Sequence, residues 1–176
     1  MSSRADMTPR GVVRRLGHHA RGELAAHLLR LSPCQRRMRF NGGVSDEFVH
    51  TYCRGFCGTR SLVLGFFLDG VMRGAGELML LSDIADSRSC EIAVSVEHQY
   101  QGLGIGTGLV RRLLVLAANR RIRTMHVLYT RDNRRMENIA LRFGAGLTTD
   151  GTQIDAVISV AAPTDHSLFE EALFNG

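Results

Sequence analysis

The sequence predicts a single α/β (α+β) domain built on a mixed sheet, with elements in the order β-α-α-β-β-β-α-β-α-β-β. A chain of 176 residues with 44% hydrophobic content supports one compact core rather than two. Asp69-Gly70 separates two apolar, strand-compatible runs, which reads as an antiparallel hairpin. Farther on, a strand pattern ending at Val96 passes through a glycine-rich turn into a helical pattern from Leu109 to Asn119, and then into a strand pattern at Thr124 to Thr130. A strand-helix-strand unit of that kind crosses over the sheet and leaves its two strands parallel.

The elements follow in chain order. Residues 1–10, with Ser2, Ser3, Arg4 and Pro9, show no apolar period and read as a flexible N-terminus, so the domain spans 11–176. Gly11 to Leu16 is a short first strand, and Leu24, Leu28 and Leu31 mark one stripe of an amphipathic helix that Pro33 is expected to end. After Asn41-Gly42-Gly43, Ser45 caps a second helix with Phe48, Val49, Tyr52 and Phe56 at helical spacing. Asp46 and Glu47 sit at its positive end. Two helices are thus expected before the main sheet. Ser61 to Leu68 and Val71 to Leu81 form the hairpin, and Arg88 to Val96 is the next strand. Leu109, Val110, Leu113, Leu114 and Ala117 give the buried stripe of the central helix. Asn133 caps a further helix with Met136, Ile139, Ala140 and Phe143 inward, and Gly144 closes it. A last hairpin, Ala145 to Thr149 and Thr152 to Val160, turns at Asp150-Gly151 before a short helix from Asp165 to Phe174.

Composition narrows the function classes. The net charge of +5 is carried by arginine alone, since the chain contains no lysine. The arginine pairs are scattered, and with three tyrosines and no tryptophan there is no interleaved aromatic platform, which argues against a nucleic-acid surface. No apolar stretch is long enough to span a membrane, so the expectation is a soluble, cytoplasmic protein. Cys34, Cys53, Cys57 and Cys90 fit no zinc spacing and read as reduced thiols, and no metal is expected. Cys90 lies beside the strand singled out below, where a modifiable thiol is the alternative.

The most informative stretch is Gln101-Gly102-Leu103-Gly104-Ile105-Gly106-Thr107-Gly108, at a strand-to-helix junction. The first turn of a helix has N–H groups without intrahelical partners, and the helix dipole adds positive charge there. Glycines clear the side chains that would keep a pyrophosphate away. A phosphate loop ending in Gly-Lys-Ser/Thr is excluded by the missing lysine. The G-x-G-x-x-G dinucleotide fingerprint fails at Thr107 in one register and at Leu109 in the other. The remaining spelling, Q/R-x-x-G-x-G/A at Gln101, Gly104 and Gly106, resembles the acyl-CoA-binding motif of the GNAT N-acetyltransferase superfamily.

Two further strings support the resemblance, which covers most of the chain and its element order. Asn133-x-x-Met136 followed by Ala140, Phe143 and Gly144 looks like the family's helix after the fifth strand. Leu31-Ser32-Pro33-x-x-Arg36-x-x-Arg39-Phe40 is similar to a string in bacterial protein-lysine acetyltransferase domains. The resemblance implies a GNAT-like fold in which the parallel strands Glu91–Val96 and Thr124–Thr130 splay and admit the pantetheine arm of acetyl-CoA. Val94, Ser95 and Val96 would line the arm, the pyrophosphate would rest on the amides from Leu103 to Thr107, and Asn133 and Met136 would touch the CoA chain. The cofactor-contacting set is then Val94, Ser95, Val96, Gln101, Gly102, Leu103, Gly104, Ile105, Gly106, Thr107, Asn133 and Met136.

Thioester aminolysis needs a free amine, a donor for the developing oxyanion and a proton for the departing thiolate. Glu91 is the first candidate base, sharing a strand face with Ala93 and Ser95, and Glu77 is the reserve. A strand-end charge exposed to solvent or paired with an arginine is the structural alternative for Glu91. The tyrosine that many family members place seven residues after the cap asparagine is Ala140 here, so the substitutes for proton delivery are Tyr129, for which core packing is the structural alternative, or water. Arg36 and Arg39 would order the substrate cleft or bind an internal carboxylate. The expected activity is acetyl transfer from acetyl-CoA to a primary amine, a protein lysine or a small molecule, in a ternary complex. The missing tyrosine suits the alternative of a catalytically silent acyl-CoA sensor. A homodimer is compatible with the sequence.

Overall fold

The computed structural model describes residues 11–55, 60–81 and 88–173, so the N-terminal segment 1–10 and the expectations placed on Phe56, Cys57 and Phe174 lie outside the described residues. Seven strands, β1 (Val12–Arg15), β2 (Ser61–Leu68), β3 (Val71–Leu81), β4 (Ser89–Val96), β5 (Thr124–Thr130), β6 (Gly146–Asp150) and β7 (Gln153–Ser159), form one sheet in the order β1-β2-β3-β4-β5-β7-β6. Among the described residues only β4 and β5 run parallel, and the other neighbours are antiparallel. The mixed α/β class and the parallel central pair are therefore as the sequence predicts.

Among the described residues six α-helices cover the sheet: α1 (Arg21–Arg30), α2 (Pro33–Phe40), α3 (Asp46–Gly55), α4 (Ile105–Asn119), α5 (Arg134–Arg142) and α6 (Asp165–Ala172). The two sheet faces carry two cores. On one, Leu109, Leu113 and Leu116 of α4 pack with Leu78, Ile92, Met125, Val127 and Ile158. On the other, Leu24 and Leu28 of α1 and Val49 and Cys53 of α3 pack with Val63, Phe67 and Ala75. Strand alternation assigns the faces: Cys90 and Ile92 point to the α4 side, and Ser95 meets α1. The β2–β3 turn has positive φ at both central residues, Asp69 (51°) and Gly70 (76°), as the two-residue hairpin requires.

One helix departs from expectation. Pro33 starts α2 instead of merely ending α1, so among the described residues three α-helices, not two, precede β2. In a first helical turn the missing proline N–H costs nothing, because that donor has no intrahelical acceptor. Ser32 completes the start with a capping box: its hydroxyl accepts from Gln35 N at 3.3 Å, and Gln35 Oε1 accepts from Ser32 N at 3.1 Å. The consequence is functional, because α2 carries Gln35, Met38 and Arg39 to the sheet opening.

Candidate active site

The parallel strands pair at Ser89–Thr124, Cys90–Met125 and Glu91–His126, and at no residue beyond. β4 nevertheless continues to Val96 along β3, and β5 to Thr130 along β7. The two inner edges therefore diverge into a wedge whose backbone groups have no strand partner. A cleft of about 370 Å³ fills the wedge and extends over the glycine loop. Val94, Ser95, Val96, Gln101, Gly102, Gly104, Ile105, Gly106, Thr107, Asn133 and Met136 line it. Leu103 is set back, half-buried against the α4 core.

The loop shape follows from its glycines. Gly102 and Gly104 hold φ of 77° and 80°, a region that costs an L side chain about 1–2 kcal/mol. Gly104 is the N-cap of α4 and offers no capping side chain, so the first-turn amides turn outward to the cleft. Gln101 braces the entry by donating Nε2–H to the Val96 carbonyl at 2.8 Å, and Gln35 of α2 donates to the same oxygen at 3.0 Å. Among the described residues Gln101 Oε1 is buried without a partner. Asn133 caps α5 by accepting from Met136 N at 3.2 Å. Arg135 and Arg142 of α5 are exposed cations on the cleft rim that the sequence reading did not single out. Outward amides, a side-chain-free turn and rim arginines together suit a polyphosphate.

The acid–base candidates separate clearly. Glu91 stands at the apex of the wedge, half-buried and outside the cleft lining. Burial pushes its carboxyl above the ordinary range, with Arg39 opposing that rise and Asp155 adding to it. Glu77 is buried and committed: Arg39 donates to it at 2.8 Å, and Tyr52 donates its hydroxyl to the same oxygen. Tyr129 is 1% exposed in the α4-side core and is not one of the residues lining the cleft, and among the described residues its buried hydroxyl has no partner. Cys90 is fully buried, and burial pushes its thiol up to about 12, which makes it an unreactive core residue.

A second polar cluster escaped the sequence reading. His27 of α1 is wholly buried, with Nε2 2.9 Å from Ser95 Oγ and Nδ1 3.4 Å from Glu97 Oε1. Arg30 Nε at 2.8 Å and Arg73 at 3.1 Å hold the same carboxylate. Among the described residues no group of His, Cys, Asp and Glu is placed to hold a metal ion, and no helix is long and apolar enough to cross a membrane.

Comparison with known proteins places this geometry. Residues 29–145 match the model of the acetyltransferase (GNAT) family. Acetyltransferase PA5475 from Pseudomonas aeruginosa is 27% identical over 119 residues, which is 65% of this chain and 63% of that protein, so the match spans less than two thirds of the relative's length. The GNAT domain of S. lividans PAT superposes with a TM-score of 0.75 at 17% identity, covering 88% of this chain and 96% of that one. The PaiA N-acetyltransferase of Thermoplasma acidophilum, solved in complex with coenzyme A, gives 0.62 at 17% identity, covering 85% and 98%. At those identities the two structures share the fold.

Proposed function

The chain belongs to the acetyltransferase (GNAT) family of acyltransferases, and on that premise we propose that it transfers an acetyl group from acetyl-CoA to a primary amine by direct attack in a ternary complex. The observation that carries this reading is the wedge: two parallel strands that stop pairing after Glu91–His126, with a glycine-capped helix N-terminus at the open end. Acetyl-CoA supplies an activated acyl group on sulfur, and the chain has to bind it, free the amine and manage protons.

The binding roles follow from position. Backbone amides from Leu103 to Thr107 receive the pyrophosphate, Arg135 and Arg142 meet the remaining phosphate charge, and the free edge at Val94 continues the sheet onto the pantetheine arm. Asn133 and Met136 close the α5 side. Glu91 takes a proton from the incoming ammonium, directly or through water. Its raised carboxyl lies nearer the operating pH than an exposed glutamate would, which suits a base.

The acceptor is a lysine on another protein or a small-molecule amine; the Leu31–Phe40 string favours the first. The lysine-free sequence excludes autoacetylation on lysine. A cytoplasmic setting supplies both acetyl-CoA and the reducing conditions its thiols require. The second reading, an acyl-CoA-binding sensor, draws on Ala140 alone. A thiol-release assay across amines, peptides and proteins decides between them. Acceptor-dependent CoA release supports transfer, whereas acetyl-CoA binding without release for every acceptor supports the sensor.

A further inference from the structure

Direct transfer moves two protons. One leaves the incoming ammonium; the other leaves the nitrogen as the N–C bond forms and must reach sulfur as the C–S bond breaks. Ala140 has no proton to give, and Tyr129 is buried in the core and is not one of the residues lining the cleft. Three hydroxyl-bearing residues line the cleft, Ser95, Tyr100 and Thr107. Among the described residues only Ser95 of these three is hydrogen-bonded to a titratable side chain, His27.

The protonation pattern of that cluster is fixed by its surroundings. Burial pushes the Glu97 carboxyl up, but hydrogen bonds from His27 and Arg30 outweigh it and bring it to about 2, so it is an ionised acceptor at neutral pH. His27 Nδ1 therefore carries the hydrogen that faces Glu97. Burial lowers the His27 pKa against the pull of Glu97, with Arg30 and Arg39 adding to the lowering, so the ring is neutral. Nε2 is then a lone pair, and Ser95 donates its hydroxyl hydrogen to it across 2.9 Å. A hydroxyl of a cleft-lining residue, a base behind it and a carboxylate orienting the base is the arrangement that moves protons at acyl centres.

We propose that Ser95, His27 and Glu97 form the proton relay of the transfer reaction, an inference that rests on the acetyl-transfer reading above. Ser95 Oγ accepts the second amine proton while passing its own to His27 Nε2. Glu97 stabilises the resulting imidazolium. As the C–S bond breaks, the proton returns along the same path to the sulfur, leaving every relay group as it began. Ser95 is the catalytic residue of the three, and His27 and Glu97 act through it.

Two measurements test the relay. In the unliganded protein, long-range nitrogen–proton NMR of the histidines at pH 7 is expected to show His27 neutral with its hydrogen on Nδ1; a hydrogen on Nε2, or an imidazolium, overturns the proposal. In turnover, Ser95→Ala and His27→Gln are each expected to lower kcat by about 10²-fold, with the KM for acetyl-CoA within about threefold of native. The double variant should be no worse than either single one, and Ser95→Thr should recover most of the rate. The solvent proton inventory should be curved for the native enzyme and linear for Ser95→Ala. A native rate in Ser95→Ala, multiplicative losses in the double variant, or an acetyl adduct accumulating on Ser95 overturns it. If the native protein neither binds acetyl-CoA nor releases CoA, the transfer reading fails instead, and the NMR result still judges the His27 geometry separately.

Discussion

Glu91 and His126 stand opposite each other as the last paired residues of β4 and β5, and the sheet opens immediately beyond them. His126 Nδ1 lies 3.0 Å from Asp155, so the apex of the wedge joins a half-buried carboxylate to a histidine–aspartate pair. Glu91→Gln keeps the shape and removes the base. It is expected to lower kcat by about 10²-fold or more while acetyl-CoA affinity stays nearly native. In the native enzyme, kcat/KM should rise through a pKa above the ordinary carboxylate range, as burial of Glu91 dictates. Steady-state rates against pH check both points, and an acid limb that persists in Glu91→Gln assigns it to another group.

Arg39 is the half-buried partner on which Glu77 and Tyr52 converge. Arg39→Met leaves the Glu77 carboxylate buried without its cation, a change expected to cost about 3–5 kcal/mol. Arg39→Met with Glu77→Gln removes both charges and should recover most of that loss. Urea denaturation of the two single variants and the double variant measures the coupling. Simple additivity of the two losses would show that the pair does not interact.

Glu97 sets an acid limit on the fold. Its folded pKa of about 2 lies below the 4.5 of an unpaired glutamate, so its contribution is complete above about 4.5 and is lost as pH falls toward 2. That shift corresponds to about 3 kcal/mol at most. Melting curves from pH 5 to pH 3 should show the native protein losing stability through this window, and Glu97→Gln, less stable at pH 7, should lose less over the same range. Parallel curves for the two proteins would remove Glu97 from the acid response.

What was legible in the sequence was set by short-range chemistry. Asp69-Gly70, the Gly102–Gly104 turn and the Asn133 cap each fix backbone geometry within a few residues, and all three appear where the sequence puts them. α2 was hidden because proline both stops and starts helices. The signal that decides between them, Ser32 with Gln35 three residues on, was present and unused. His27 was invisible for a different reason: its partners Ser95 and Glu97 lie 68 and 70 residues away, and only the packing of α1 on β4 brings them together. Tyr129 is a matter of face. The alternation of β5 sends it with Met125 and Val127 into the α4-side core, whereas His126 turns to Asp155.

The most direct test of the acetyl-CoA cleft is the thermal melt of native protein and Gly104→Glu with and without acetyl-CoA. Gly104 holds φ of 80° at the N-cap of α4, so glutamate brings backbone strain and a carboxylate to the amides that would receive the pyrophosphate. The unliganded variant is expected to melt cooperatively, a few degrees below native at a strain of about 1–2 kcal/mol. Acetyl-CoA at a hundredfold excess over its Kd should stabilise the native protein by about 2.7 kcal/mol and leave the variant unmoved. Equal stabilisation of both proteins, or none of the native one, would contradict the assignment of this loop and wedge to acetyl-CoA.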